Sequence, residues 1–397
     1  MTAVCFYFQV HQPVRLKRFS LFADSIPDSL YERYFDDATN KAIFGKVTDK
    51  CYLPANSLLL KLIGENEGRF RISYSLTGSF LEQAKRFRPE VIDSFHALAE
   101  TGCVEFLNET YYHSLSSLFE DKTEFVEQVR MHSQELHSLF KASGKVFRNT
   151  EALFSNDMAR LAEDLGFDGI VGEGHESVLG WRSPDYLYGV KGCARIKALL
   201  RNYKLSDDVS YRFSARWWPE WPLTAEKYAK WLAGAPGQCI NLFMDYETFG
   251  EHQWEETGIF SFLAALPREV LKYQHLGFMT PTEVVQDNPV MGEIDVPNPI
   301  SWADMERDVS AWLGNSMQRE CFHALQGLEL KVRETRDPEI LHVWRLLQNS
   351  DHLYYLCTKS WADGDVHKYF SPFQSPYEGF INYMNILQDF RKEVEEA

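Results

Sequence analysis

The sequence predicts an α/β fold in which a parallel sheet, open or closed into a barrel, is followed by a helical segment. Three observations predict it. Almost uninterrupted apolar runs such as Cys239-Ile240-Asn241-Leu242-Phe243-Met244 read as strands buried on both faces, the pattern of a parallel sheet. Short apolar runs of this kind alternate with helix-length stretches through the first two thirds of the chain, as βαβ units require. Carboxylates stand where two runs end, with Asp245 after Met244 and Glu151 after Lys145-Val146-Phe147-Arg148-Asn149-Thr150. The carboxyl ends of parallel strands are where α/β barrels carry their chemistry.

In chain order the expected strands are Val4–Phe8, Phe70–Leu76, Val104–Leu107, Val146–Phe147, Gly169–Val171, Ile240–Met244 and Gly277–Met279. Helices are expected between them at Pro89–Thr101, Lys122–Ala142 and Ala225–Leu232. Thr280-Pro281-Thr282-Glu283 reads as a helix start, with Thr280 as N-cap, Pro281 in the first turn and Glu283 closing a capping box. A Pro/Gly/Asn-containing connector, Asp287 to Pro299, then divides a domain of residues 1–286 from one of residues 287–397. The second part shows helical patterns alone. Ser301 with Asp304 is expected to cap a helix with the stripe Met305, Val309, Trp312, Leu313 and Met317. A single helix is expected through Ile340, Trp344, Leu347, Asp351 and Tyr354, and a last one from Pro376 through Phe380, Tyr383, Ile386 and Phe390.

Bulk properties narrow the function. With 41 Lys+Arg against 57 Asp+Glu the formal charge is −16, which argues against nucleic acid and anionic membranes as partners. Plain solubility explains the same acidity. The 10 Trp and 19 Tyr favour a ligand that stacks on aromatic faces, as sugar rings do, although core packing uses most aromatics in any protein. Seven cysteines without a Cys-x-x-Cys pair read as free thiols in a reducing compartment. The opening Met1-Thr2-Ala3-Val4-Cys5-Phe6 has no basic n-region and reads as a first strand rather than a signal peptide. No run approaches a membrane-spanning length. A cytoplasmic protein is expected.

Glu151 and Asp245 are the candidate chemical pair, because splitting a glycosidic bond takes two carboxylates, one attacking and one protonated. Acids at strand ends also serve as salt-bridge partners or helix N-caps, so the pair stays open on position alone. In Gln9-Val10-His11-Gln12-Pro13, Pro13 stops the first strand and leaves His11 near the barrel rim. There it can bond sugar hydroxyls or tune an acid, or simply be satisfied by backbone. Glu109-Thr110-Tyr111-Tyr112-His113 puts polar groups beside stacking faces after another strand. Asp351 falls in an apolar helical stripe, where an unpaired carboxylate is costly and some partner must compensate it.

Other chemistries find little support. His132 and His137 are five apart and diverge on a helix, and there is no His-Glu-x-x-His, so a metal-dependent deacetylase is disfavoured and no metal is expected. Gly-rich nucleotide loops and a Gly-x-Ser-x-Gly elbow are also missing from the sequence, and no cofactor is expected.

Taken together the motifs closely resemble glycoside hydrolase family fifty-seven, in particular its α-amylase-like branch. They occur in order: His11-Gln12-Pro13, Glu109 to His113, Arg148 to Glu151, Asp245 to His252, and Ser350-Asp351-His352. Ser301-Trp302-Ala303-Asp304, continuing through Glu306-Arg307-Asp308 to Trp312-Leu313-Gly314-Asn315, and the tail Asp363-Gly364-Asp365-Val366-His367 add to the likeness, which spans nearly the whole chain. The resemblance implies an incomplete (β/α)7 barrel with a C-terminal all-helical domain packed on it and completing the active-site cleft. It implies retaining chemistry on α-glucans without a metal. Glu151 falls on the family's nucleophile and Asp245 on its general acid/base; His11, His113, Trp302, Asp304 and Asp351 match positions around the substrate. The expected activity is hydrolysis of α-1,4 bonds in glycogen, starch or maltooligosaccharides. The alternatives are a 4-α-glucanotransferase, branching enzyme or pullulanase on the same machinery, or a non-catalytic glucan-binding protein.

Overall fold

Ten strands organise the computed structural model, which describes residues 1–20, 27–360, 366–368 and 371–397. They are β1 (Thr2–Val10), β2 (Ile72–Leu76), β3 (Val104–Phe106), β4 (Val146–Arg148), β5 (Gly169–Glu173), β6 (Tyr188–Val190), β7 (Lys197–Arg201), β8 (Cys239–Asp245), β9 (Leu276–Phe278) and β10 (Glu293–Ile294). Pairing is parallel from β1 to β2 and from β2 to β3. An isolated parallel bridge, Asn108↔Phe147, carries the ring on to β4. β4 pairs with β5, β5 with β7, β7 with β8 through Arg201↔Asn241, and β8 with β1. The seven strands β1, β2, β3, β4, β5, β7 and β8 thus close on themselves, with thin seams at β3/β4 and β7/β8. β9 lies beside the start of β1.

The apolar run of β1 divides by parity, as strand geometry demands. Ala3, Cys5 and Tyr7 pack with Val146, Val171, Leu199, Cys239 and Phe243, filling the barrel interior. Val4, Phe6, Phe8 and Val10 pack outward with helix residues such as Phe44, Leu59, Phe80 and Phe95. Both faces are buried, so the run is apolar throughout. Helix Pro281–Asp287 starts in the expected Thr280/Glu283 capping box and inserts Val284 and Val285 into the interior cluster.

Three strands escape the sequence pattern. Lys197-Ala198-Leu199-Leu200-Arg201 contains good helix formers and no β-branched residue, yet burial between β5 and β8 makes it a strand. β6 pairs antiparallel with β7, and β10 extends β6; β10 falls within the expected connector, just after the expected boundary at 286.

Helices follow β10, and two expectations about them are corrected. Residues 301–309 form turns rather than the first helix, with Asp304 and Arg307 at positive φ and Met305 79% exposed. Helices begin at Ser310–Leu313 and Ser316–Gln326. The expected helix through Asp351 is broken in two, Pro338–Leu347 and Ser350–Tyr354. Asn349 caps the second, its side chain accepting from the Asp351 amide. The last helix, Pro376–Glu396, starts as expected.

These helices share a core with Val14, Leu16, Tyr111, Tyr112 and Leu153 from loops following β1, β3 and β4. They therefore sit over the carboxyl ends of the strands. A buried ion network reinforces the contact. Glu124, fully buried on helix Thr123–Phe140, accepts from Arg345 Nε at 2.9 Å and from Arg333 Nη2 at 2.7 Å. No helix among the described residues is long and apolar enough to cross a membrane.

Candidate active site

Glu151 follows β4 in a short turn and adopts φ 56°, ψ 26°, a left-handed conformation that costs a non-glycine residue free energy and is concentrated at functional sites. Its carboxylate receives donors from three separate segments. Trp302 Nε1 lies 3.0 Å from Oε2, while Ser350 Oγ and His113 Nε2 lie 3.1 and 3.3 Å from Oε1.

His113, also at positive φ, reaches Glu109 Oε2 with Nδ1 at 3.2 Å. Both ring nitrogens face carboxylate oxygens, which calls for a doubly protonated imidazolium. Burial opposes the charge, but the bonds to Glu109 and Glu151 win and lift the imidazole to about 9. Burial likewise opposes an ionised Glu109, and the His113 bond and charge with Arg148 take it down to about 2. Glu109 also accepts from Gln9 Nε2 at 3.2 Å and from Ser75 Oγ. The same influences, against burial, lower Glu151 below the usual glutamate range. Glu151 is ionised at neutral pH.

The His11 ring stacks on His113 with centroids 4.0 Å apart. Burial and the neighbouring imidazolium lower His11, so it is the neutral member of the pair. It donates through Nε2 to Asp351 Oδ2 at 3.1 Å, and Nδ1 accepts from Thr77 Oγ1 at 2.9 Å. Burial would raise Asp351, but the His11 bond and nearby imidazoles bring it to about 2. His11 is thus the partner that the Asp351 carboxylate requires.

Asp245 ends β8, in register with Gln9 of β1. Burial raises its carboxyl; His252, Arg148 and Arg201 pull the other way, and Glu151 adds to the rise. Two residues on, burial and Asp245 push Glu247 up to about 8, and its Oε1 accepts from Tyr52 Oη at 2.6 Å. One barrel mouth therefore holds a carboxylate kept ionised and another shifted toward its acid form.

Residues 5–297 match the profile of glycosyl hydrolase family 57. The chain belongs to this family. A relative from Methanocaldococcus jannaschii named "Putative alpha-amylase" is 48% identical over 403 residues, covering 99% of this chain and 85% of its own. The crystal structure of a family 57 branching enzyme from Thermococcus kodakaraensis superposes with TM-score 0.71 at 12% identity, covering 98% of this chain and 90% of that one. A branching enzyme of the same family from Pyrococcus horikoshii gives 0.70 at 13% identity, over 100% and 94%. The last two speak to the fold, the incomplete (β/α)7 barrel, and the protein is a glycoside hydrolase.

In this family 57 enzyme Trp302 is held from several directions. Its ring lies under the guanidiniums of Arg148 at 4.8 Å and Arg201 at 5.7 Å, and its carbonyl accepts from Arg307 Nη1. Arg201 and Arg307 share Glu173, at 3.2 and 3.5 Å, and Asp207 completes the cluster. Arg148 is fully buried, and none of its guanidinium nitrogens has a hydrogen-bond partner among the described residues. Glu109 at 3.7 Å and the Trp302 face offset its charge. Glu109, Arg148 and Ser350 belong to the recognised motifs, yet their spacing alone does not single them out. Glu247 likewise lies within the motif Asp245 to His252; Arg201 and Glu173 fall outside the motifs, and a charge ending an apolar run is the signal that marks both.

The structure thus brings together a bonded trio of His113, Glu151 and Trp302 and a bonded pair of His11 and Asp351, joined by the stacked imidazoles. Asp304 turns elsewhere, to Lys359 Nζ at 2.7 Å and His367 Nε2 at 3.1 Å. Of the tail motif, Asp363, Gly364 and Asp365 lie outside the described residues.

Proposed function

We propose that this glycoside hydrolase cleaves α-1,4-glucosidic bonds of α-glucans (glycogen, starch and maltooligosaccharides) with retention, by double displacement between Glu151 and Asp245. The observation that carries the reading is the opposite polarisation of these two carboxyl groups at the same barrel mouth. Glu151, ionised by His113 and held by Trp302 and Ser350, attacks the anomeric carbon. Asp245, shifted toward its protonated form by burial, gives its proton to the leaving glycosidic oxygen. Water deprotonated by Asp245 then releases the glycosyl group from Glu151. A retaining pair of this kind works at about 5–5.5 Å separation.

His11, His113, Trp302 and Asp351 line the sugar-binding cleft in this reading, while Asp304, bonded to Lys359 and His367, stands apart from them. Residues 1–286 form the catalytic barrel, and residues 287–397 form the helical domain that completes the cleft. The M. jannaschii relative's name supports amylase-type activity, and seven free cysteines suit a cytoplasmic enzyme.

The test is product analysis after incubation with maltoheptaose, with Glu151→Gln alongside. Shorter oligosaccharides alone, absent with the variant, are expected. Products both longer and shorter than the substrate would make the enzyme a glucanotransferase. A folded Glu151→Gln protein with full activity would remove the nucleophile assignment.

A further inference from the structure

Asp304, Cys357 and His367 lie far apart in the sequence, yet their ligand atoms all fall within 4.8 Å of one another. The Asp304 and His367 side chains are 5% and 4% exposed, and Cys357 is 4% exposed. We propose that these three side chains bind one zinc-type divalent ion, distinct from the carboxylate chemistry at Glu151.

The donor set is the first argument. A thiolate, an imidazole and a carboxylate are the ligands that zinc combines, with water at the fourth position. Bonds of about 2.0–2.3 Å place tetrahedral ligand atoms about 3.3–3.8 Å apart. His367 Nε2 and Asp304 Oδ2 are 3.1 Å apart and all three ligand atoms lie within 4.8 Å of one another, so shifts of about an ångström bring the group to that geometry.

Orientation of the imidazole is the second argument. His367 Nδ1 faces the Tyr354 carbonyl at 3.3 Å, and the Tyr354 ring lies tilted against it at 36° with centroids 3.8 Å apart. An Nδ1–H donated to a backbone carbonyl fixes the tautomer whose Nε2 lone pair is available, the usual outer support of a metal-bound histidine. That lone pair points at a carboxylate oxygen. The contact needs a cation between the two atoms, a second proton in the free protein or a metal ion in its place.

Lys359 is the competing charge. Its ammonium lies 2.7 Å from Asp304 Oδ2 and 2.7 Å from Glu306 Oε2, so Glu306 can keep it when a metal ion takes Asp304. The bound ion would clamp the 301–309 turns, which carry Trp302, to Cys357 just beyond helix Ser350–Tyr354 and to residues 366–368.

The experiment is titration of chelator-stripped full-length protein with Co2+ as optical probe, followed by displacement with Zn2+. One equivalent should give a thiolate-to-cobalt charge-transfer band that zinc abolishes. Cys357→Ser should lose the band, and His367→Gln should bind at least about tenfold more weakly, since even outer-shell changes cost 10–100-fold. Lys359→Met, which removes the competitor, should bind more tightly than the native protein. Circular dichroism checks that each variant is folded. A titration without a thiolate band overturns the proposal, as does a band that persists in Cys357→Ser. Unchanged affinity in folded His367→Gln overturns it equally.

Discussion

His113 Nε2 lies 3.3 Å from Glu151 Oε1 while the other ring nitrogen is bonded to Glu109. The attacking carboxylate of the proposed mechanism is therefore ionised by a cation that is itself fixed from behind. Removing that cation should change when Glu151 ionises, and pH dependence should report it.

His113→Asn is the suitable variant, because asparagine tolerates the left-handed backbone found there. Loss of the imidazolium should raise the Glu151 pKa, so the acid limb of kcat/KM should move to higher pH. Stability should change in the same variant. His113 is raised in the fold from 6.5 to about 9, so its stabilisation is complete below 6.5 and is lost as pH rises through about 9. The variant should lack that alkaline decline. An acid limb that stays in place would show that His113 does not control Glu151.

Asp245 and Glu247 allow a paired test of the acid. Glu247 is raised to about 8 and is mainly protonated at neutral pH, so Glu247→Gln keeps its shape and its bond from Tyr52. It should retain most activity. Asp245→Asn should lose about 10²–10⁴-fold, the usual worth of a positioned general acid. The loss should shrink on substrates with a good leaving group, which needs no proton. Equal loss in both variants would move the acid role toward Glu247.

Residues legible in the sequence are those whose role is local. β1 and β8 announce themselves because both faces are buried, and the acid ending β8 and the acid after β4 were visible with them. Partnerships across the chain were not. The Asp351 carboxylate demanded a partner, but nothing near it named His11, whose bond spans 340 residues. Lys197–Arg201 has helix-forming composition and becomes a strand through its neighbours. Asp304 with Ser301 has the pattern of a helix cap, yet residues 301–309 form turns with Asp304 and Arg307 at positive φ. His367 and Cys357 carry no metal-like spacing, and Asp304, the third donor of the proposed site, lies far from both in the sequence.

Glu124 tests how firmly the helical part is joined to the barrel. It is fully buried and bonded to Arg345 and Arg333. Glu124→Gln removes the buried charge but leaves Arg345 and Arg333 paired with Glu127, and Arg333 with Glu329. Leaving a buried charge uncompensated costs about 3–5 kcal/mol; with Glu127 and Glu329 still in place the loss should fall below that range, lowering the urea midpoint at unchanged slope. A second transition would mean that the helices release before the barrel unfolds. An unchanged midpoint would show that the joint holds without the Glu124 charge.

Trp302 offers the narrowest test of the proposed nucleophile. Its indole N–H is 3.0 Å from Glu151 Oε2, and its ring fills the space beneath Arg148 and Arg201. Trp302→Phe keeps an aromatic face for both guanidiniums and removes the donor. A hydrogen bond to a charged group is worth about 1.5–3 kcal/mol, which corresponds to roughly ten- to a hundredfold at 1.36 kcal/mol per decade. If the N–H orients Glu151 for attack, kcat should fall in that range while KM changes little. If Trp302 acts mainly as a stacking face for sugar, KM should carry the change and kcat should hold. Steady-state kinetics on maltoheptaose separates the two, since an orienting bond and a binding surface enter different constants.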